Sequence, residues 1–243
     1  RGHRKAVLLV VLGLLAALFA YGWFTREDIA DDFIASQFEQ LGLEASYTVE
    51  AIGPYEQVIR DVVIGDRDAP DLVIERVSVA IVPGFGIPKI GRITLDKPRL
   101  FGVLRDGRVS FGSLDPLIYT DSEEPFRLPD LDLAVRDGRA LIESEHGPVG
   151  IKLGGEGRLR GGFSGEIAAT APRLSGSGCV AQNASLYGEL RVAAEKPRFS
   201  GPLRAASLVC PDSGFALGSA RIAAEVTADP TLDGGEAKAD IVL

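Results

Sequence analysis

From Leu43 onward, the chain consists of short segments in which apolar or glycine residues alternate with polar ones. In one such segment Ile222, Ala224 and Val226 share one parity and charged or small residues occupy the other, which is the pattern of a β-strand with one buried face. The 29 glycines and 14 prolines follow no collagen period and mark turns between these segments. The sequence therefore predicts a mostly β fold.

The first half of this β region contains six predicted strands. They are Ala45–Val49, Val58–Ile64, Asp71–Val82, Ile90–Asp96, Arg99–Leu104 and Leu131–Val135. The dipeptides Asp106-Gly107 and Asp137-Gly138 are typical hairpin turns, and an apolar segment follows each of them. We therefore expect a hairpin at both dipeptides.

The third predicted strand contains a change of parity. Leu72 and Ile74 share one parity, whereas Val77, Val79 and Ile81 take the other. A slip between Glu75 and Arg76 predicts a bulge or a sharp bend there.

One phrase occurs twice, as KPRLFGVLR at 97–105 and as KPRFSGPLR at 196–204, with six of nine positions identical. Proline fixes φ and donates no backbone hydrogen bond, so within a sheet it favours the start of a strand. An anion-binding motif is the alternative, but one arginine beside each proline in a chain of net charge −8 is a weak anion site. The repetition is typical of strand-turn units that recur along one extended sheet.

The N-terminal segment differs from the rest of the chain. Ala6–Phe24 is an uninterrupted apolar run of 19 residues, close to the ~20 that a helix needs to span a bilayer. Basic residues precede it, so residues 1–26 are predicted to be a cytoplasmic stub and a transmembrane anchor, with the remainder across the membrane. A cleaved signal peptide ending near Ala20-Tyr21-Gly22 is the alternative.

Residues 27–42 alternate apolar and acidic side chains at helical spacing, which predicts a short amphipathic helix. Residues 43–243 form the β region, which we expect to continue beyond the given chain. The acidic, proline-bounded stretch 116–129 is a candidate sub-boundary within it.

The two cysteines, Cys179 and Cys210, are equidistant from the junction of Ala194 and Glu195. An antiparallel hairpin that turns at this junction would place them opposite each other. If the β region lies in an oxidising compartment, an even count of two predicts a disulfide. Two buried thiols that pack as small apolar residues are the alternative.

The sequence lacks the residues of common catalytic and metal sites. It has two histidines, His3 and His146, and only His146 lies in the β region, where no second imidazole could share a metal. No nucleophile-elbow or dinucleotide motif is present. Without the three basic residues before the apolar run, the formal charge falls from −8 to −11, which disfavours nucleic acid. We expect no enzyme activity, no cofactor and no metal.

Three segments carry a family resemblance: Pro70–Val77 (PDLVIERV), Ile90–Leu100 (IGRITLDKPRL) and Ser110–Leu117 (SFGSLDPL). With its N-terminal apolar run, its short amphipathic helix and its long β meander, the chain resembles the AsmA-like proteins of Gram-negative bacteria. Within them it is most similar to the YdbH-type branch.

The resemblance implies an elongated, curved antiparallel sheet, shaped like a taco, that is anchored in the inner membrane and lies in the periplasm. Its apolar groove would conduct phospholipids between the inner and outer membranes. Partners would be phospholipid acyl chains, the inner membrane, and outer-membrane or periplasmic proteins.

The apolar parity of the strands supplies the groove candidates, which are Val79, Ile81, Ile93, Leu95, Leu100, Leu104, Ile167, Leu190, Val192, Ile222 and Val226. The alternative is an anchored structural or outer-membrane assembly module with a closed β-sandwich core. A groove face and a sandwich face show the same alternation, so the sequence leaves both open.

Overall fold

The computed structural model describes residues 42–83, 89–119, 127–231 and 234–242. These residues form strands, one single-turn α-helix and two 3₁₀ turns, Gly112–Leu114 and Pro211–Ser213, which confirms the mostly β fold. The elements are β1 (Ala45–Ile52), β2 (Glu56–Gly65), β3 (Pro70–Val82), β4 (Lys89–Asp96), β5 (Arg99–Arg105), β6 (Arg108–Ser110), α1 (Asp115–Ile118), β7 (Asp132–Ser144), β8 (Val149–Arg158), β9 (Ser164–Gly176), β10 (Cys179–Ala193), β11 (Lys196–Ala205), β12 (Ser207–Cys210), β13 (Phe215–Leu217), β14 (Ala220–Ala228) and β15 (Gly235–Val242).

The predicted anchor and nearly all of the predicted amphipathic helix lie outside the described residues. Within the described ranges, no helix has the length and apolarity that a bilayer span requires.

All fifteen strands belong to one sheet, in the order β1-β2-β3-β4-β7-β8-β9-β10-β11-β14-β15. Three of the four strands off this path share a position in the sheet with the strand next to them in sequence. They are β5, which lies end to end with β4, β12, which lies end to end with β11, and β13, which lies end to end with β14. Eleven strands at about 4.8 Å spacing make a sheet roughly 48 Å across. All the described strands belong to this sheet, so the described residues contain no second sheet.

The prediction of a purely antiparallel sheet is wrong, because β7 runs parallel to β4 and to β5. Parallel neighbours need a crossover of a dozen residues or more. The segment from Asp106 to Leu131, which contains β6 and α1, supplies that length. The same sheet therefore contains strands from both sides of the candidate sub-boundary at 116–129.

Of the two hairpins predicted at Asp-Gly dipeptides, the first is present and the second is absent. Asp106 and Gly107 have φ of 52° and 77° and join β5 to β6. Asp137 instead lies inside β7, with φ of 48°, as the extra residue of a bulge opposite β8. A Cβ on Gly138 would lie 2.9 Å from the carbonyl oxygen of Leu153, so this glycine allows close approach of two strands.

The irregularity predicted in β3 lies in its neighbours. The register of β3 is unbroken at Glu75, so there is no bulge at this position. The residues opposite Glu75 are Asp61 on β2 and Lys97 between β4 and β5, which have φ of 52° and 51°. The change of parity is therefore accommodated by left-handed residues on both sides of β3.

Both copies of the repeated phrase begin a strand, as predicted. The first supplies β5, which starts at Arg99, and the second supplies β11, which starts at Lys196.

The predicted hairpin around the cysteines is present. Ala194 and Glu195, with φ of 52° and 62°, form the two-residue turn between β10 and β11. The register that starts at this turn continues into β12 and places Cys179 opposite Cys210. The two sulfurs form a disulfide, with the Cα atoms 4.0 Å apart.

Candidate functional site

The two faces of the sheet differ in chemistry from β8 to β15. Because directly paired residues point to the same face, the register assigns each position to one face. One face, called the apolar face below, carries only apolar or glycine residues at its paired positions, namely Val149, Ile151, Leu153, Gly155, Gly165, Ile167, Ala169, Ala171, Ala184, Leu186, Gly188, Leu190, Val192, Pro197, Phe199, Gly201, Leu203, Ile222, Ala224, Val226, Ala237 and Ala239.

The opposite face, called the polar face, carries most of the charges of the same strands. Its members include Lys152, Glu156, Glu166, Glu189, Arg191, Arg198, Arg204, Arg221, Glu225, Lys238 and Asp240. Ion pairs cross it: the guanidinium of Arg92 lies 3.0 Å from Asp132 and 2.6 Å from Glu156. The side chains of the polar face can therefore form hydrogen bonds with water, whereas those at the paired positions of the apolar face cannot.

Paired glycines let aromatic rings lie across the apolar face. Gly188 and Gly201 are opposite each other on β10 and β11. A Cβ on Gly188 would lie 2.7 Å from Cε2 of Phe199, so the ring occupies the space that a side chain would take. The same arrangement occurs at Gly155, Gly165 and Phe163.

The apolar face is partly open to solvent in this region. Leu203 and Val226 are 39% and 41% exposed, and most of the other large side chains are half-buried against lateral neighbours. Val192 and Ala171 are buried. The described residues contain no second sheet, and α1 makes no substantial contact with β8–β15.

The same face is covered at the other end of the sheet. Leu43, Val62, Ile64, Ile74 and Leu114 form a buried cluster there. Phe111, Leu95 and Leu100 are among the residues that pack against this cluster. The segment that follows β6 therefore folds over the apolar face at β2–β5 and closes it.

Two aspartates fix this covering segment. The carboxylate of Asp71 accepts hydrogen bonds from the backbone N–H of Ser113 at 2.8 Å and from its hydroxyl at 2.6 Å. Asp115 accepts from the Ser110 hydroxyl and from the Phe111 N–H, each at 2.6 Å. The two hydrogen bonds to Asp115, and above all the one from Ser110, hold the pKa of Asp115 below its ordinary value.

The apolar residues change parity along two rows that run across the sheet. The first row contains Asp61, Glu75, Lys97 and Asp137, which are opposite one another on successive strands. The buried cluster shows that the face is continuous across this row, since Ile74 contacts it directly and Val77, of the other parity, packs against it.

The second row crosses β9–β14. It consists of Pro172, Asn183, Ala206 and Ser219, again opposite one another. Asn183 has φ of 47°, and beyond it the apolar residues that pair across strands have the other parity, as in Leu174, Ala181, Leu208 and Leu217.

The structure places the eleven groove candidates of the sequence on the apolar face. Their accessibility differs. Leu95 and Leu100 pack against the buried cluster, and Val192 is only 6% exposed. Four candidates lie in the open part of the face on β8–β15, namely Ile167, Leu190, Ile222 and Val226. The other four lie on β3–β5, namely Val79, Ile81, Ile93 and Leu104.

The candidate set misses several large residues of the open part, namely Leu153, Leu186, Phe199 and Leu203. Phe199 and Leu203 belong to the repeated phrase, whose alternation with Gly201 was the available signal. Pairing connects them to the candidates, since Phe199 lies between Leu190 and Val226.

Within the described part of the chain, no cluster of three or more His, Cys, Asp and Glu side chains could hold a metal ion. No polar or charged residue described is buried. His146 lies in the turn after β7, with Nδ1 2.8 Å from the carbonyl oxygen of Ser175. The main candidate for a functional site is therefore the apolar face itself.

Comparison with known proteins identifies a family to which the chain is similar. The family model described as "YdbH-like: Intermembrane phospholipid transport protein YdbH" matches residues 13–241. No curated protein and no solved structure matches the chain. Since the match covers nearly the whole sequence, the chain belongs to the YdbH-like family of intermembrane phospholipid transport proteins.

Proposed function

We propose that the open apolar face of β8–β15 carries the acyl chains of phospholipids that move between the inner and outer membranes, and that the protein catalyses no reaction. The observation that carries this proposal is the unbroken apolar character of that face across these strands. The single layer leaves the face open, so a polar headgroup could remain in water beside a bound chain.

The magnitude of the hydrophobic effect makes such a surface useful. Exposing an acyl chain of about 16 carbons to water costs roughly 0.8 kcal/mol per methylene, on the order of 12 kcal/mol in total. The paired positions of β8–β15 on this face include no charged side chain whose desolvation would oppose binding. Contact with this face therefore offsets much of that cost without any polar partner.

We further propose that the open part provides the main lipid contacts. Leu95 and Leu100 are engaged by the buried cluster, and Val192 has little accessible surface. Ile222 and Val226, with Leu203 from outside the candidate set, are better placed to contact a lipid.

The cellular arrangement is also part of the proposal. Residues 6–24 would anchor the protein in the inner membrane with the N-terminus in the cytoplasm, and the sheet would lie in the periplasm. The Cys179–Cys210 disulfide supports an oxidising compartment for the sheet.

Adjacent residues on β14 provide a matched test. Val226 lies on the apolar face, and its neighbour Glu225 lies on the polar face; both are exposed. A photo-crosslinking amino acid placed at Val226 in cells that make the full-length protein should yield a phospholipid adduct, detected by mass spectrometry. The same amino acid at Glu225 is the control. Equal lipid labelling at both positions, or labelling at Glu225 alone, would contradict the proposal.

A further inference from the structure

A depression of about 460 Å³ lies on the polar face where β5, β7, β8 and β9 meet. Its large apolar lining residues on this face are Phe101 and Leu141, which are opposite each other and each 37% exposed. The neighbouring positions are occupied by the small residues Ala168 and Gly150, which leave room for the depression. An exposed apolar patch bordered by charged residues is typical of an interaction surface.

Three cations border this depression in a line, called the cation row below. Arg99 is opposite Arg139, and Arg139 is opposite Lys152. Like charges at directly paired positions destabilise a sheet. A line of three such positions is therefore an arrangement that a bound anionic group would stabilise.

The acidic groups nearby do not balance the cation row. Asp137 lies 3.5 Å from the guanidinium of Arg139 and 3.4 Å from the ammonium of Lys152. Arg99 forms no ion pair with a residue that the structure describes, and Lys97 beside it is paired with Glu75. The three cations of the row thus form ion pairs with only one carboxylate among the described residues, in a chain whose net charge is −8.

We propose that the cation row and the depression form a docking site for an acidic segment of a partner protein. Carboxylates of the segment would lie over Arg99, Arg139 and Lys152, and one large apolar side chain would contact Phe101 and Leu141. Charge complementarity favours an acidic partner at this site. The rest of the protein is net negative and would repel such a partner, so the cation row is where it would bind. An acyl chain fits less well, since charged side chains lie next to the two apolar residues along their strands, Arg99 and Arg139 on one side and Glu143 on the other.

A crosslinking experiment on the full-length protein in cells tests this site. A photo-crosslinking amino acid replaces Leu141, and the crosslinked species are identified by mass spectrometry. We expect a protein adduct whose crosslinked peptide contains several acidic residues next to a large apolar one. The double variant R99E/K152E should reduce its yield about tenfold, because two attractive charges become repulsive.

A second double variant, R198E/K238E, is the matched control. It makes the same change in net charge on the same face, at β11 and β15, away from the depression, and should leave the adduct unchanged. Circular dichroism of both purified double variants checks that they are folded.

Absence of a protein adduct at position 141, a lipid adduct there, a crosslinked peptide without acidic residues, or equal losses in both double variants would each overturn the proposal. The lipid adduct at Val226 reports on the opposite face, so the two proposals can fail separately.

Discussion

Removing the Cys179–Cys210 disulfide should destabilise the protein by an amount that follows from the loop it closes. The cysteines are 31 positions apart, and the chain-entropy relation gives about 3.7 kcal/mol for a loop of this size. This is an upper value, because part of the loop is hairpin that can persist in the unfolded ensemble. We therefore expect the variant C179A/C210A to lose about 2–3.5 kcal/mol of unfolding free energy.

Urea denaturation followed by circular dichroism measures this loss in three samples: the oxidised protein, the same protein with reductant, and the double alanine variant. The reduced protein keeps both side chains, so agreement between the last two samples isolates the covalent bond. Hydrogen exchange should also accelerate in β12 and β13, which the bond holds at the end of β10. Identical denaturation midpoints with and without reductant, or two free thiols in protein from an oxidising compartment, would refute the reasoning.

Three further predictions concern single residues of the sheet. Gly188→Ala should lower stability by roughly 1–3 kcal/mol, because its Cβ would collide with the facing strand; Gly218→Ala, where no atom lies within 4 Å of the new Cβ, is the control in thermal denaturation. Asp71→Ala should cost about 2 kcal/mol through two lost hydrogen bonds, and limited proteolysis should then cut the covering segment near α1 faster. Folding lowers the pKa of Asp115. The stabilising effect of its carboxylate is therefore complete above the ordinary carboxylate pKa and is lost as pH falls through the folded-state pKa. The difference in stability between wild type and D115N should shrink below about pH 4, and a pH-independent difference would contradict this.

Alternation and symmetry in the sequence predicted much of the fold and of the apolar face. The apolar parity identified residues such as Ile167 and Leu190, because a period of two is a property of any strand with two different environments. The position of the β10–β11 turn followed from the spacing of Cys179 and Cys210 alone. These features are local or depend on one pairing.

Features that depend on long-range register could not be predicted in this way. Asp106-Gly107 and Asp137-Gly138 carry the same local signal, yet only the first ends a strand, because the second lies where β7 must continue beside β5. The parallel placement of β7 depends on how the covering segment packs. The cation row is invisible in the sequence, since Arg99, Arg139 and Lys152 become neighbours only through pairing of three strands.

The two rows at which the apolar residues change parity determine where the chain tolerates changes in length. Deleting one residue between Leu186 and Leu190 would turn the apolar side chains on one side of the deletion to the polar face and place Glu189 or Arg191 on the apolar face. Deleting two residues would preserve the facing of every side chain. At Asn183 the strand already contains an irregular residue, so a gain or loss of one residue there can be absorbed locally. Length differences among related chains should therefore occur in steps of two within strands and in single steps at these rows.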